Sequence, residues 1–118
     1  MMIVGSGIDI LEVDRLKKAI DKWGDSILKR VFTKKELNCA KTRNFDLPHL
    51  AGRFAAKEAV FKALSNIQLG FKDIEILNNP DGKPICHLIS KGRYPEIILS
   101  ISHAKDYAVA SAIAIKKT

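Results

Sequence analysis

The last stretch of the chain constrains the fold most. From Tyr107 to Ile115 the sequence alternates, with Ala108, Ala110, Ala112 and Ala114 on one face of a strand and Val109, Ile113 and Ile115 on the other. A strand face made of alanines fills little space, so it accepts a helix at close range. The natural candidate opens at Asp46-Leu47-Pro48, where proline suits a first helical turn, and should reach Leu64 or Ser65. At about 100° per residue, Leu47, Leu50, Phe54, Phe61 and Leu64 share one apolar face of that helix. Lys57 projects from within that face, Arg53 flanks it on one side, and Glu58 and Lys62 flank it on the other. A plain amphipathic helix keeps charge out of its apolar arc. The Glu58–Lys62 spacing is the ordinary i,i+4 pair, worth only about 0.2–0.5 kcal/mol on a helix surface.

The other elements fall around this pairing. Met2–Ile10 reads as a strand with Ile3, Val4, Ile8 and Ile10 as its apolar members, and Gly5 and Gly7 mark points of close approach. The two glycines are not a dinucleotide fingerprint, because Ile10 stands where the third glycine would fall. Val13, Leu16, Ile20 and Trp23 recur at helical spacing, with Gly24 as the stop. Thr33 and Glu36 form a capping box, with Phe32 and Leu37 at the hydrophobic-staple positions, so a helix should run from Lys34 to about Thr42. Asp73–Leu77 and Ile85–Ile89 flank a turn-rich loop, and Ile97–His103 pairs with the alanine strand across Ala104-Lys105-Asp106. Strand, helices, then strands predict a single α+β domain over residues 1–118, with a mostly antiparallel sheet packed against the long helix.

Charge narrows the partners. Residues 15–43 hold ten basic residues against three acidic ones, so this stretch carries the whole net charge of +7. Arg15, Lys18 and Lys22 fall off the apolar stripe of their helix and face outward. They form either a solvated surface or a docking face for something acidic: nucleic acid, a phosphorylated ligand or an acidic protein. Trp23 and Phe32 are the only aromatics in the stretch, few for a base-stacking platform. Tyr107–Ile115, the longest nearly apolar run, is far too short to cross a membrane as a helix. The N-terminal apolar run lacks a basic leader and is broken by Asp9, so a cytoplasmic location is expected. Cys39 and Cys86 sit in no metal-binding spacing.

Two carboxylates and a histidine stand out. Asp9 lies in an otherwise apolar strand, where a carboxylate must be solvated, paired or bound to a cation. Paired with Glu58 it would suit Mg²⁺, which keeps several waters and takes further oxygens from substrate phosphates. His103 ends the Leu99-Ser100-Ile101-Ser102-His103 strand. No nucleophile triad, Cys-His pair or Walker loop assembles from these residues.

Taken in order, Gly7-Ile8-Asp9, Phe32-Thr33 with Glu36-Leu37, Gly52-Arg53-Phe54-Ala55-Ala56-Lys57-Glu58-Ala59 followed by Lys62-Ala63, Gly82-Lys83-Pro84, and Ser100-Ile101-Ser102-His103 form a pattern. From end to end the chain resembles the holo-acyl-carrier-protein synthases, the short bacterial type of 4′-phosphopantetheinyl transferase. The resemblance implies transfer of the phosphopantetheine arm of coenzyme A to a serine of apo acyl carrier protein, with release of adenosine 3′,5′-bisphosphate. It implies Mg²⁺ on Asp9 and Glu58, His103 near the nucleotide, and active sites at the subunit boundaries of a homotrimer. Such chemistry is mainly positioning and charge neutralisation. Lys62 would then reach the phosphates, Glu58 would accept the serine proton, and Arg53 and Lys57 would attract the other phosphates of coenzyme A. Acyl carrier proteins are strongly acidic, which gives Arg15, Lys18 and Lys22 a partner. Many members carry a glycine-rich loop after the long helix; here Leu64–Lys72 holds only Gly70. A basic nucleic-acid-binding module would explain the charge but not Asp9, Glu58 or the Ser-Ile-Ser-His strand. A metal-dependent phosphodiesterase would use the same carboxylates and hydrolyse coenzyme A without a carrier.

Overall fold

The computed structural model describes residues 1–65 and 67–116. Along the chain it has β1 (Met2–Glu12), α1 (Val13–Trp23), α2 (Asp25–Val31), α3 (Lys34–Thr42), α4 (Leu47–Ala63), a 3₁₀ turn (Phe71–Asp73), β2 (Ile74–Asn78), β3 (Pro84–Leu88), β4 (Glu96–His103) and β5 (Tyr107–Lys116). β1, β5 and β4 form an antiparallel sheet with β5 in the middle, and β2 and β3 form a separate antiparallel hairpin. The α+β expectation holds, with strands and helices close to the predicted bounds. The helix α2 has no counterpart in the sequence pattern, because seven residues are too few to show a helical period.

The alanine face does what its size allows. Ala108, Ala110, Ala112 and Ala114 are buried, and α4 lies on them through Ala55, Ala56, Ala59 and Ala63. The expected apolar arc of α4 packs on the core, with Leu50 and Leu64 buried and Leu47, Phe54 and Phe61 half-buried against it, but the side facing the sheet is another one, made of small residues. Close approach is also what Gly5 and Gly7 provide. A Cβ on Gly5 would sit 2.0 Å from the Ala63 carbonyl oxygen, and one on Gly7 would sit 2.1 Å from that of Ala59. Any side chain there would push β1 off the helix.

The glycine face of β1 turns inward, so its isoleucines turn outward. Ile8 and Ile10 are each 65% exposed. Across the sheet Ile8 pairs with Ser111 and then Ser100, Ile10 with Val109 and Ser102, and Ser6 with Ile113 and Ile98. One face of the sheet therefore holds the helix, and the other presents isoleucine, valine and serine to the outside. Trp23, expected on the buried stripe of α1, is also exposed, beneath the ammonium of Lys22. Gly24 ends α1 with a φ of 62°, where a side chain would be strained. The Thr33–Glu36 capping box forms as predicted, with bonds of 2.8 and 3.2 Å. Among the described residues no helix is long and apolar enough to cross a membrane.

Candidate active site

Asp9 lies two residues beyond Gly7 on the inward face of β1, and Glu58 directly precedes Ala59 on α4. The close β1–α4 contact thus carries both carboxylates to one place. They line a cleft of about 310 Å³ with Leu11, Arg15, Leu16 and Phe54. Lys62 bridges the two elements: its Nζ lies 3.2 Å from Asp9 Oδ1 and donates to the Ile8 carbonyl at 2.9 Å. Burial lifts the Glu58 carboxyl above its ordinary range, the Asp9 carboxylate lifts it further, and the Lys62 ammonium partly offsets both. Two hard oxygen donors suit Mg²⁺. Among the described residues no cluster of three or more Asp, Glu, His or Cys forms, so water and substrate oxygens would have to supply the remaining ligands.

Arg53 and His103 meet in a second cavity of about 270 Å³, lined also by Arg43, His49 and Asn78. Arg53 Nη2 donates to Asn78 Oδ1 at 2.6 Å, which fixes the guanidinium in the wall. Two arginines and no carboxylate line this cavity, so its charge favours an anion. Burial, with Arg53 and Arg43 nearby, pushes the His49 imidazole down to about 4, so it is neutral at pH 7. Arg43 and His49 were not singled out by pattern. The available signal is that His49 stands one helical turn before Arg53. A larger cavity, about 760 Å³, lies around Arg93, Tyr94 and Glu96, at the opposite end of β4 from His103.

Residues 5–112 match the family model of the 4′-phosphopantetheinyl transferase superfamily. The holo-[acyl-carrier-protein] synthase of Caldicellulosiruptor saccharolyticus is 49% identical, covering 98% of this chain and 99% of its own length. That of Thermodesulfovibrio yellowstonii is 45% identical over 95% and 98%. Among solved structures, a holo-(acyl-carrier-protein) synthase from Bacillus anthracis in complex with CoA (3′,5′-ADP) superposes with a TM-score of 0.83 at 40% identity, covering 99% of this chain and 100% of that one.

The chain belongs to the 4′-phosphopantetheinyl transferase superfamily.

In this transferase-family chain, one expected phosphate ligand is displaced from that role. Lys57 is fully buried, and its Nζ is enclosed by the carbonyls of Val31, Phe71 and Ile74 at 2.9, 2.8 and 2.6 Å and by Glu36 Oε1 at 2.6 Å. All its donors are used inside the protein, so it has none for coenzyme A. Sequence pattern placed Lys57 on an apolar arc, which is correct; what it could not show is that carbonyls fill that arc. The transferase-family chain keeps Arg15 at the edge of the carboxylate cleft. Lys18 is instead paired with Asp14 at 3.0 Å on the same helix face, and Lys22 lies 5.0 Å from the centre of the Trp23 ring. Burial pushes the Cys86 thiol up to about 12, which keeps it protonated at pH 7.

Proposed function

We propose that the chain is a holo-acyl-carrier-protein synthase. It transfers the 4′-phosphopantetheine group of coenzyme A to a serine of apo acyl carrier protein, in support of fatty acid biosynthesis, and releases adenosine 3′,5′-bisphosphate. The observation that carries this is the meeting of Asp9 and Glu58 in one cleft, with Lys62 on Asp9, in a chain nearly half identical to a synthase over its whole length. The acid-free cavity of Arg43, His49, Arg53 and His103 suits the phosphates at the nucleotide end.

Each residue has a role that its surroundings support. The serine oxygen bonds to the phosphorus bearing the pantetheine arm. The bond from that phosphorus to the bridging oxygen breaks, and its electron pair leaves on the nucleotide. The serine proton passes to Glu58, whose raised carboxyl range makes it a better proton acceptor than an ordinary glutamate. Lys62, whose side chain is half-exposed, supplies positive charge to the diphosphate. Asp9 and Glu58 would hold Mg²⁺, which when bound supplies Lewis-acid stabilisation of the diphosphate charge. Arg15, Lys18 and Lys22 face the acidic carrier. The exposed isoleucine face of the sheet is the surface on which copies associate into a trimer, since a patch of this kind marks an interface. The protein works in the cytoplasm.

The test mixes the protein with coenzyme A, Mg²⁺ and apo acyl carrier protein and reads the carrier by intact mass. The expected result is a gain of one phosphopantetheine, abolished in Asp9→Ala and Glu58→Ala. The parent's melting temperature should also rise in millimolar Mg²⁺, and that rise should vanish in both variants. Breakdown of coenzyme A with no carrier present, and no gain on the carrier, would make the chain a phosphodiesterase instead.

A further inference from the structure

Lys57 takes no part in the proposed chemistry, yet it is the most heavily bonded side chain in the core. Its four acceptors come from four separate segments: the end of α2, α3, the 3₁₀ turn, and the start of β2. None comes from α4 itself. Its partner Glu36 is equally committed, accepting from the Thr33 and Ile76 backbone N–H groups at 2.8 Å each. Thr33 Oγ1 in turn donates to the buried Glu75 at 2.6 Å.

Stability alone does not account for this arrangement. Burial disfavours the charged ammonium and the Glu36 carboxylate compensates it, yet a buried ion pair can often be replaced by apolar residues without loss of stability. Elsewhere among the described residues α4 is tied by side-chain hydrogen bonds at Arg53, to Asn78, and at the half-exposed Lys62, to Ile8 and Asp9; Lys57 is the one such tie that is fully buried. The sheet side of α4 is alanine and glycine on alanine, which fixes how close the helix comes but offers few ridges to fix its rotation about its own axis. The next residue after Lys57 is Glu58, about 100° further around the helix. Phe54, one turn before Glu58, walls the same cleft and lies against Phe71, ring centres 5.5 Å apart. The Phe71 carbonyl is itself held by Lys57.

We propose that Lys57 and Glu36 are a buried positioning pair that sets the rotation of α4, and so the placement of Glu58, Lys62 and Phe54 against Asp9. A rotation of about 10° moves a group roughly 6 Å from the helix axis by about 1 Å. Misplacement by 1 Å can cost about a hundredfold in rate. This inference rests on the proposed roles of Asp9 and Glu58.

The test compares Glu36→Gln, Lys57→Met and the double variant with the parent, all assayed well below their melting temperatures. Glu36→Gln retains a residue that completes a capping box, so it keeps the start of α3 while losing the ion pair and the acceptor for the Ile76 N–H. It should lower kcat about fivefold with the KM for coenzyme A unchanged. Lys57→Met should lower kcat about 10–100-fold. The double variant removes the unpaired charge and should regain melting temperature over Lys57→Met while its kcat stays low. The proposal is overturned if kcat recovers together with melting temperature in the double variant, or if Glu36→Gln has parental kcat. Should Lys57→Met not fold, Glu36→Gln alone decides. If Asp9→Ala and Glu58→Ala keep full transfer activity, the proposed site has failed rather than the positioning pair.

Discussion

Glu58 sits where burial opposes its charge and the Asp9 carboxylate opposes it further. Its folded state therefore holds a proton at pH values where the unfolded chain, near the ordinary 4.5, has lost it. Between those two values the native state binds more protons, so stability falls as pH rises through the window and stays lower above it. Glu58→Gln removes that loss. In metal-free buffer its melting temperature should match the parent near pH 4 and exceed it by about 1–2 °C at pH 8. A thermal-shift series over pH reads this directly. Equal melting curves at pH 8 would mean that water and Lys62 already satisfy the carboxylate.

At the scale of the element, α1 carries basic residues that are not equivalent. Lys17 and Lys18 are each tied to an acid one turn away, Asp21 at 3.1 Å and Asp14 at 3.0 Å. Arg15 has no such acid among the described residues and lies at the rim of the carboxylate cleft. Charges at a rim act on association and its salt dependence. Arg15→Gln should therefore raise the carrier-protein KM about tenfold at low salt, an effect that shrinks in high salt, with coenzyme A binding little changed. Lys18→Gln should raise it less than about threefold, because exposed pairs already offset its charge. Steady-state kinetics at two ionic strengths separate the two; equal effects would mean that the Asp14 pair opens when the carrier docks.

For the whole molecule, the sheet face opposite α4 is the unfinished part. Ile8, Ile10 and Ile98 are exposed to 65, 65 and 48%, in rows shared with serines that let another surface come near. Cyclic assembly of copies through such a face would bury it, and the cleft of Asp9 opens from the same strand. Ile10→Glu should convert a trimer to monomers and remove transfer activity while leaving far-ultraviolet circular dichroism unchanged. Sedimentation and the intact-mass assay check both halves. A monomeric parent with full activity would end the trimer proposal.

Sequence by itself determined the elements whose physics is local. The capping box at Thr33 and Glu36 defined the start of α3, the alternation of β5 defined its faces, and the ordered motifs from Gly7 to His103 pointed to the family. Asp9 was legible because it breaks the apolar pattern of its strand; Glu58, which only flanks the apolar arc of its helix, joined it through the chemistry of a two-carboxylate Mg²⁺ site and the family resemblance. Tertiary structure decided whatever depends on residues distant along the chain. It turned the isoleucines of β1 outward, since the glycines had to face the carbonyls of Ala59 and Ala63. It gathered Arg43 and His49 around Arg53, and it took Lys57 away from the phosphates and gave it to Glu36 and three carbonyls. A lysine in an apolar arc looks the same in sequence whether it faces a ligand or a ring of backbone acceptors. Those acceptors come from segments 14 to 26 residues away, and only folding brings them together.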